Sequence, residues 1–276
     1  MKEILSQVDQ AFPYTSKLRR EFHRQPELGF QEVQTAEIIL RELSKLDGFS
    51  VQSGIAETGI VALFKGTSSE KTILLRFDMD ALPVTENTGV DYISQNEGIM
   101  HACGHDGHMA IGLTVAKLLS ENYCDLPGQI KFVFQPAEEG LGGACRMIDE
   151  GVLDDPSPDV VLGLHLWNEK ELGWLGISDG PVMSASETFQ VLITGRGGHG
   201  GKPHESIDPI VAAADVVTSL QSLVSREVPP LDSAVVTVSS IHGGETHNVI
   251  PEFVTLEGTI RTFTTVSRKL VLERFH

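Results

Sequence analysis

Residues 71–80 read KTILLRFDMD, and the fold turns on how they are taken. Four large apolar residues lie between polar flanks, which is the pattern of a short buried strand. The run ends in two aspartates, Asp78 and Asp80. The same grammar recurs in GIVALFKG (59–66), GQIKFVFQPAEEG (128–140) and DVVLGLHLWN (159–168). Between and before these runs the apolar spacing is helical. SKLRREFHRQPELG (16–29) stops at Pro26, EVQTAEIILRELSKLDG (32–48) closes on Gly48 as a C-cap, and HMAIGLTVAKLLSEN (108–122) and GACRMIDEGVL (143–153) follow. Apolar strands separated by helices predict an α/β fold, a mainly parallel sheet with helices on both faces.

The pattern changes from about residue 184. ETFQVLITGRG (187–197), SAVVTVSSIHGG (233–244) and PEFVTLEGTIRTF (251–263) read as strands. A long helix opens at the N-cap Asp208 with Pro209 in its first turn, and a second begins near Ser267. This β-α-β-β-α order is a split βαβ unit, an α+β ferredoxin-like domain, lacking its last strand. The predicted domains are 1–183 and 184–276. The chain is expected to be short of its natural length.

Composition narrows the function. The formal net charge is −17 over 276 residues, which disfavours a nucleic-acid partner. No apolar run approaches the ~18 residues of a membrane span, and the N-terminus lacks the apolar core of a signal peptide. The expected setting is the cytoplasm, with no membrane partner. Three cysteines, Cys103, Cys124 and Cys145, do not form a disulfide framework, and Cys124 and Cys145 read as structural.

In a parallel α/β sheet, ligands bind outside the carboxyl ends of the strands. Asp78 and Asp80, the pair Glu138 and Glu139, and His165 all fall at such ends. The stretch HACGHDGHMA (101–110) leads directly into a helix and joins them at that edge. Cysteine, histidine and glutamate are ligands for zinc and similar ions. If residues 103–105 are extended, Cys103 and His105 share a face. Glu138 and Glu139 cannot point the same way on a regular element, so one suits a metal and the other a general base. Asp80 can orient a ligand histidine. Taken singly, each signal has an ordinary structural reading; an adjacent glutamate pair is most often a solvated face. A competing reading makes Cys103 a thiol nucleophile with His101 or His105 as its base, which leaves Glu138, Glu139 and His165 without a task.

Seven ordered stretches carry a family resemblance: LRREFHRQPELGFQE, LLRFDMDALPVTE, MHACGHDGHMA, FVFQPAEEGLGGA, LGLHLWN, GRGGHGGKPHESIDPI and HNVIPEFVTLEGTIRTF. Over essentially its whole length the sequence resembles the metal-dependent amidohydrolases of the hippurate hydrolase and N-acyl-amino-acid amidohydrolase type. These form a branch of the aminoacylase and carboxypeptidase superfamily that includes plant auxin-conjugate hydrolases. The resemblance implies Cys103, His105, Glu139 and His165 as metal ligands, Glu138 as general base and Asp80 as the residue that orients the site. Asp78 stands where the wider superfamily has a histidine ligand, which fits the cysteine-containing branch. Two divalent ions are implied, manganese or zinc foremost, with nickel or cobalt compatible.

The resemblance also makes the second domain a lid through which a homodimer forms. His199 would reach the neighbouring subunit's site and hold the developing oxyanion. Asn248 and Arg261 would position the substrate, Arg261 through its carboxylate. The implied substrate is a small N-acyl amino acid. In the family the chain returns after the lid and supplies a final histidine ligand, which nothing up to His276 matches. Two alternatives stand beside this reading: a non-catalytic dimerising or binding module of the same fold, and a deacylase of the N-acetyl-diaminopimelate or peptide type.

Overall fold

A computed structural model describes residues 2–68, 70–123 and 125–276; Cys124 lies outside these. The chain forms two compact units, Met1–Glu171 and Leu172–His276. The division falls before the change of pattern read at residue 184. The first strand of the second unit begins at Ala185, and the stretch from 164 to 184 has no helix or strand to reveal its allegiance.

The first unit runs α1 (Lys2–Arg24), α2 (Val33–Leu43), β1 (Phe49–Ile55), β2 (Gly59–Lys65), β3 (Thr72–Asp78), α3 (His105–Asn122), β4 (Gln129–Gln135), α4 (Gly143–Asp149) and β5 (Val160–Gly163). Its sheet has the order β1-β2-β4-β3-β5. β4, β3 and β5 are parallel, whereas β1 pairs with β2 and β2 with β4 antiparallel. The sheet is therefore mixed, not mainly parallel. Two features explain the correction. FSVQSGI, the edge strand β1, is polar and mostly exposed, so it lacks a strand-like apolar pattern. The link from Lys65 to Thr72 is too short for the crossover that a parallel neighbour requires.

Alternation along the strands builds two cores. Ile60, Ala62 and Phe64 of β2, Phe77 of β3, and Ile130, Phe132 and Phe134 of β4 face Leu18, Phe22, Ile39, Met109 and Leu113 of the three long helices. Val61, Leu74 and Val133 point the other way, onto Met147 of α4. α1 begins at Lys2, well before Ser16, and runs through Pro13 because packing on α3 outweighs one lost amide bond. α2 ends at Leu43 with Ser44 as its C-cap. Gly48 instead serves the turn into β1 with φ 87°, where a side chain would meet the Phe64 ring at 2.9 Å.

The second unit contains β6 (Ala185–Thr194), β7 (Gly198–His199), α5 (Pro209–Ser222), β8 (Ala234–His242), β9 (Val249–Ile250), β10 (Phe253–Thr262) and α6 (Thr265–Phe275). β10 lies between β6 and β8, antiparallel to both. Asp208 caps α5 by accepting from the Ile210 amide at 2.9 Å, and Thr264 caps α6 from the Ser267 amide at 3.0 Å. Leu220, Leu223, Val236, Ile260 and Val271 form its core. The ribbon of β7 and β9 is too short to show in the sequence pattern. Among the described residues no helix is long and apolar enough to cross a membrane.

A buried ion cluster joins α1 to α3. His23 donates from Nδ1 to Asp106 at 2.8 Å and from Nε2 to Glu86 at 3.2 Å, and Arg19 donates to Asp106 at 3.0 Å. Both imidazole nitrogens face carboxylates, an arrangement that favours the imidazolium. The Asp106 hydrogen bond leads in raising its pKa above the usual histidine value, against burial. His23→Ala is expected to cost about 3–5 kcal/mol in chemical denaturation, because the buried Glu86 side chain loses its His23 partner and Asp106 is left with Arg19 alone. The raised histidine pKa makes this contribution full below 6.5 and lost as pH rises through the folded value. The gap between wild type and variant should accordingly narrow in alkali; a gap that widens there contradicts the assignment.

Candidate metal centre

The site lies where β3, β4 and β5 end and α3 begins. Gly104, at φ 85°, is the N-cap of α3, and its left-handed turn separates Cys103 from His105. Cys103 and His105 are thus not two apart on an extended segment. They converge because the chain folds back at Gly104 and His105 opens the helix. His105 is fully buried. Its Nδ1–H donates to the Asp80 backbone carbonyl at 2.8 Å, which leaves the Nε2 lone pair pointing into the site with no protein partner.

Around Nε2 stand Asp78 Oδ2 at 3.6 Å, Glu139 Oε1 at 3.8 Å and Glu138 Oε2 at 4.0 Å. His165 lies two residues past the end of β5. Its Nδ1–H donates to the Leu166 carbonyl at 2.7 Å, and its bare Nε2 is 3.4 Å from Cys103 Sγ. The donors fall into three overlapping groups: Cys103 with His105 and His165, His105 with Glu138 and Glu139, and Asp78 with His105 and His108.

Asp80 works mainly through its backbone. Its carbonyl orients His105, while its carboxylate accepts the Glu139 amide at 2.9 Å and stands 3.5 Å from His105 Nδ1. Asp80 Oδ1, His105 Nε2 and Glu139 Oε1 are buried without a hydrogen-bond partner. Unpaired buried polar atoms are costly, and convergent ones of this chemistry suit a cation.

The charges agree with that reading. Burial disfavours a proton on His105. The nearby Asp80 carboxylate, the Cys103 thiol and the charge of Asp78 overcome it, raising the pKa to about 11. Burial likewise opposes the Asp78 carboxylate, yet His108, His105 and Arg76 bring it down to about 2. Glu138 is pushed up, first by burial and then by the neighbouring Glu139. The site therefore favours positive charge, and the residues present fit a divalent ion.

Three supports were not assigned roles by the sequence. Glu32 is fully buried and accepts from the Ala137 amide at 2.9 Å and the Thr58 hydroxyl at 2.5 Å, holding the turn that presents Glu138 and Glu139. His23 grips Asp106, the neighbour of His105. His108 binds Asp78. The spacing of His105 and His108, one helical turn apart, was the available signal for the last. His101 is buried with both ring nitrogens unpaired, and the Cys103 thiol faces His165, not His101.

In the second unit, His199 lies opposite Val249, and the Gly200 amide donates to the Asn248 carbonyl at 2.8 Å, so His199 and Asn248 are neighbours. His199 Nδ1 accepts from the Gly201 amide, which leaves Nε2–H as a free-facing donor on an exposed ring. Arg261 sits at the other end of β10, opposite Ser186. At the usual strand rise it is roughly 26 Å along β10 from Phe253, the end nearer Asn248.

The chain belongs to peptidase family M20/M25/M40, matched over residues 74–264. It is 45% identical to the N-acetyl-L-cysteine deacetylase of Bacillus subtilis (strain 168), covering 94% of this chain and 61% of the relative. It is 44% identical to the IAA-amino acid hydrolase ILR1-like 4 of Arabidopsis thaliana, covering 95% and 59%. The chain thus spans about three fifths of the length of these curated relatives. Among solved structures it resembles the YXEP protein of Bacillus subtilis, described as a dinuclear metal-binding peptidase of the M20 family, with TM-score 0.76 and 35% identity over 95% of this chain and 67% of that one.

His105 is shared by all three donor groups, so His105→Ala should abolish metal uptake in equilibrium dialysis; wild-type stoichiometry in the variant contradicts the site. An ion at a hundred times its Kd should stabilise the wild-type fold by about 2.7 kcal/mol per site, and chelator should remove that increment.

Proposed function

We propose that this protein hydrolyses the amide bond of small N-acyl amino acids with two divalent ions. The observation that carries the reading is that Cys103 and His165, and separately Glu138 and Glu139, cluster with the same His105, whose Nε2 is buried and unpaired as is Glu139 Oε1. The thiolate and imidazoles suit zinc, nickel or cobalt, and the carboxylates suit manganese. Bound there, the ions supply Lewis acidity to a water and to the acyl carbonyl.

Glu138 is the general base. Its side chain is 40% exposed, open to an incoming substrate, and its raised pKa suits proton transfer. It takes a proton as the water oxygen bonds to the acyl carbon. It then delivers that proton to the amide nitrogen as the carbon–nitrogen bond breaks, giving a carboxylic acid and a free amino acid. Asp80 holds His105 in the tautomer that offers Nε2, and Glu32 holds the turn carrying Glu138.

The second unit acts as a ferredoxin-like lid. His199 Nε2–H donates to the developing oxyanion, with Asn248 beside it, and Arg261 pairs with the amino-acid carboxylate. The length of β10 between these groups exceeds a small substrate. One substrate would therefore draw them from two lids, which supports a homodimer. The two named relatives act on different acyl groups, acetyl and indole-acetyl by their names, so the shared element is the N-acyl amino acid.

The test is a panel of N-acetyl, N-benzoyl and indole-acetyl amino acids with N-acetyl-diaminopimelate. Glu138→Gln should lower kcat by about 10²–10⁴-fold while metal content stays constant. No cleavage of any member by the metal-loaded protein leaves the non-catalytic module, and unchanged turnover in Glu138→Gln removes Glu138 as the general base. Survival in chelator with loss on thiol alkylation would instead make Cys103 the nucleophile. The raised Glu138 pKa also places the acid limb of the kcat/KM profile above pH 4.5, activity rising with pH through it.

A further inference from the structure

His108 is fully buried one helical turn after His105, yet it has no lone pair to spare for an ion. Its Nδ1–H donates to Asp78 Oδ1 at 2.5 Å, and its Nε2 accepts the backbone amide of Leu166 at 2.9 Å. Asp78 is equally committed, since its other oxygen accepts from Arg76 at 2.6 Å. This chain runs from β3 through α3 to the segment after β5. It ends on the residue whose carbonyl takes the His165 Nδ1–H and so leaves His165 Nε2 bare toward Cys103.

The segment needs such a hold. β5 is a four-residue edge strand that pairs only with β3 and ends at Gly163. Leu166 remains half exposed, but it lies over the glycine face of α3. A methyl group at Gly107 would come within 2.4 Å of Leu166 Cδ1, and one at Gly104 within 3.6 Å of Leu166 Cβ. The His165 ring stands edge-on to the His108 ring, centroids 4.8 Å apart.

We propose that Asp78 and His108 form a clasp that positions His165 against Cys103 and thereby sets the affinity for an ion held by that pair. His108 is a positioning residue, not a ligand. Asp78, at a site where the wider superfamily carries a ligand, has become the anchor of the clasp. The proposal rests on the two-ion reading given above.

Cobalt(II) titration of the 276-residue chain separates the two. Wild type should show the thiolate-to-cobalt charge-transfer band that reports Cys103 as a ligand. His108→Phe keeps a ring in the space but offers neither bond. It should weaken cobalt binding at the Cys103 site by about 10–100-fold and lose the band at cobalt levels that saturate wild type. His108→Gln carries an amide donor and acceptor that can serve Asp78 and Leu166, and it should recover most of the affinity. Circular dichroism and the melting temperature of each metal-free form check folding. Should His108→Phe not fold, Asp78→Asn opens the same clasp by placing an amide nitrogen against Arg76 or His108, and it should weaken the band likewise. A band and affinity equal to wild type in a folded His108→Phe or Asp78→Asn overturn the clasp alone. So does a glutamine variant no better than phenylalanine. Absence of the band in wild type overturns the Cys103 metal site, and the clasp with it.

Discussion

A single buried nitrogen organises this molecule. His105 gives its Nδ1 proton to the Asp80 carbonyl and turns a bare Nε2 toward three carboxylates, each within 4.0 Å. Burial alone would disfavour positive charge on this imidazole, but the surrounding negative groups favour it at Nε2, where a proton and a metal ion compete for the same lone pair. So much anionic density in a low-dielectric place needs a cation. The helix start, the strand ends and the turn at Ala137 all serve to keep those donors together.

The supporting residues follow from that burden. Glu32, His23 with Asp106, and Asp78 with His108 are buried charged or polar groups whose hydrogen-bonding atoms meet partners. Each fixes one piece of backbone that presents a donor: the Glu138–Glu139 turn, the first turn of α3, and the segment of His165. Buried polar groups of this kind add little net stability, but a break in any of them leaves an unpaired charge. The architecture spends them where the position of a donor atom matters most.

Much of this was legible in the residues. Asp78, Asp80, Glu138 and Glu139 end strands whose apolar runs are plain, and the rule that ligands sit at carboxyl edges gathered them correctly on one side. The direction of the sheet was misread because β1 is a polar edge strand with no alternating apolar pattern. The link between β2 and β3, too short for a crossover, carried the correction in its length. The convergence of Cys103 and His105 was anticipated for a different reason than the observed one, since an extended segment and a left-handed glycine turn give similar neighbours from the same letters.

Residue types and local periodicity by themselves determined most of the longer helices and strands and the change of pattern in the second part of the chain, because apolar spacing and capping act over a few residues. Tertiary structure alone decided which histidines keep a free lone pair. His105 and His165 do because their Nδ1 protons go to backbone carbonyls. His108 does not, because Asp78 and the Leu166 amide claim both its nitrogens. For His105 and His108 the tautomer depends on partners 25 to 58 residues away in sequence, and no local pattern records it.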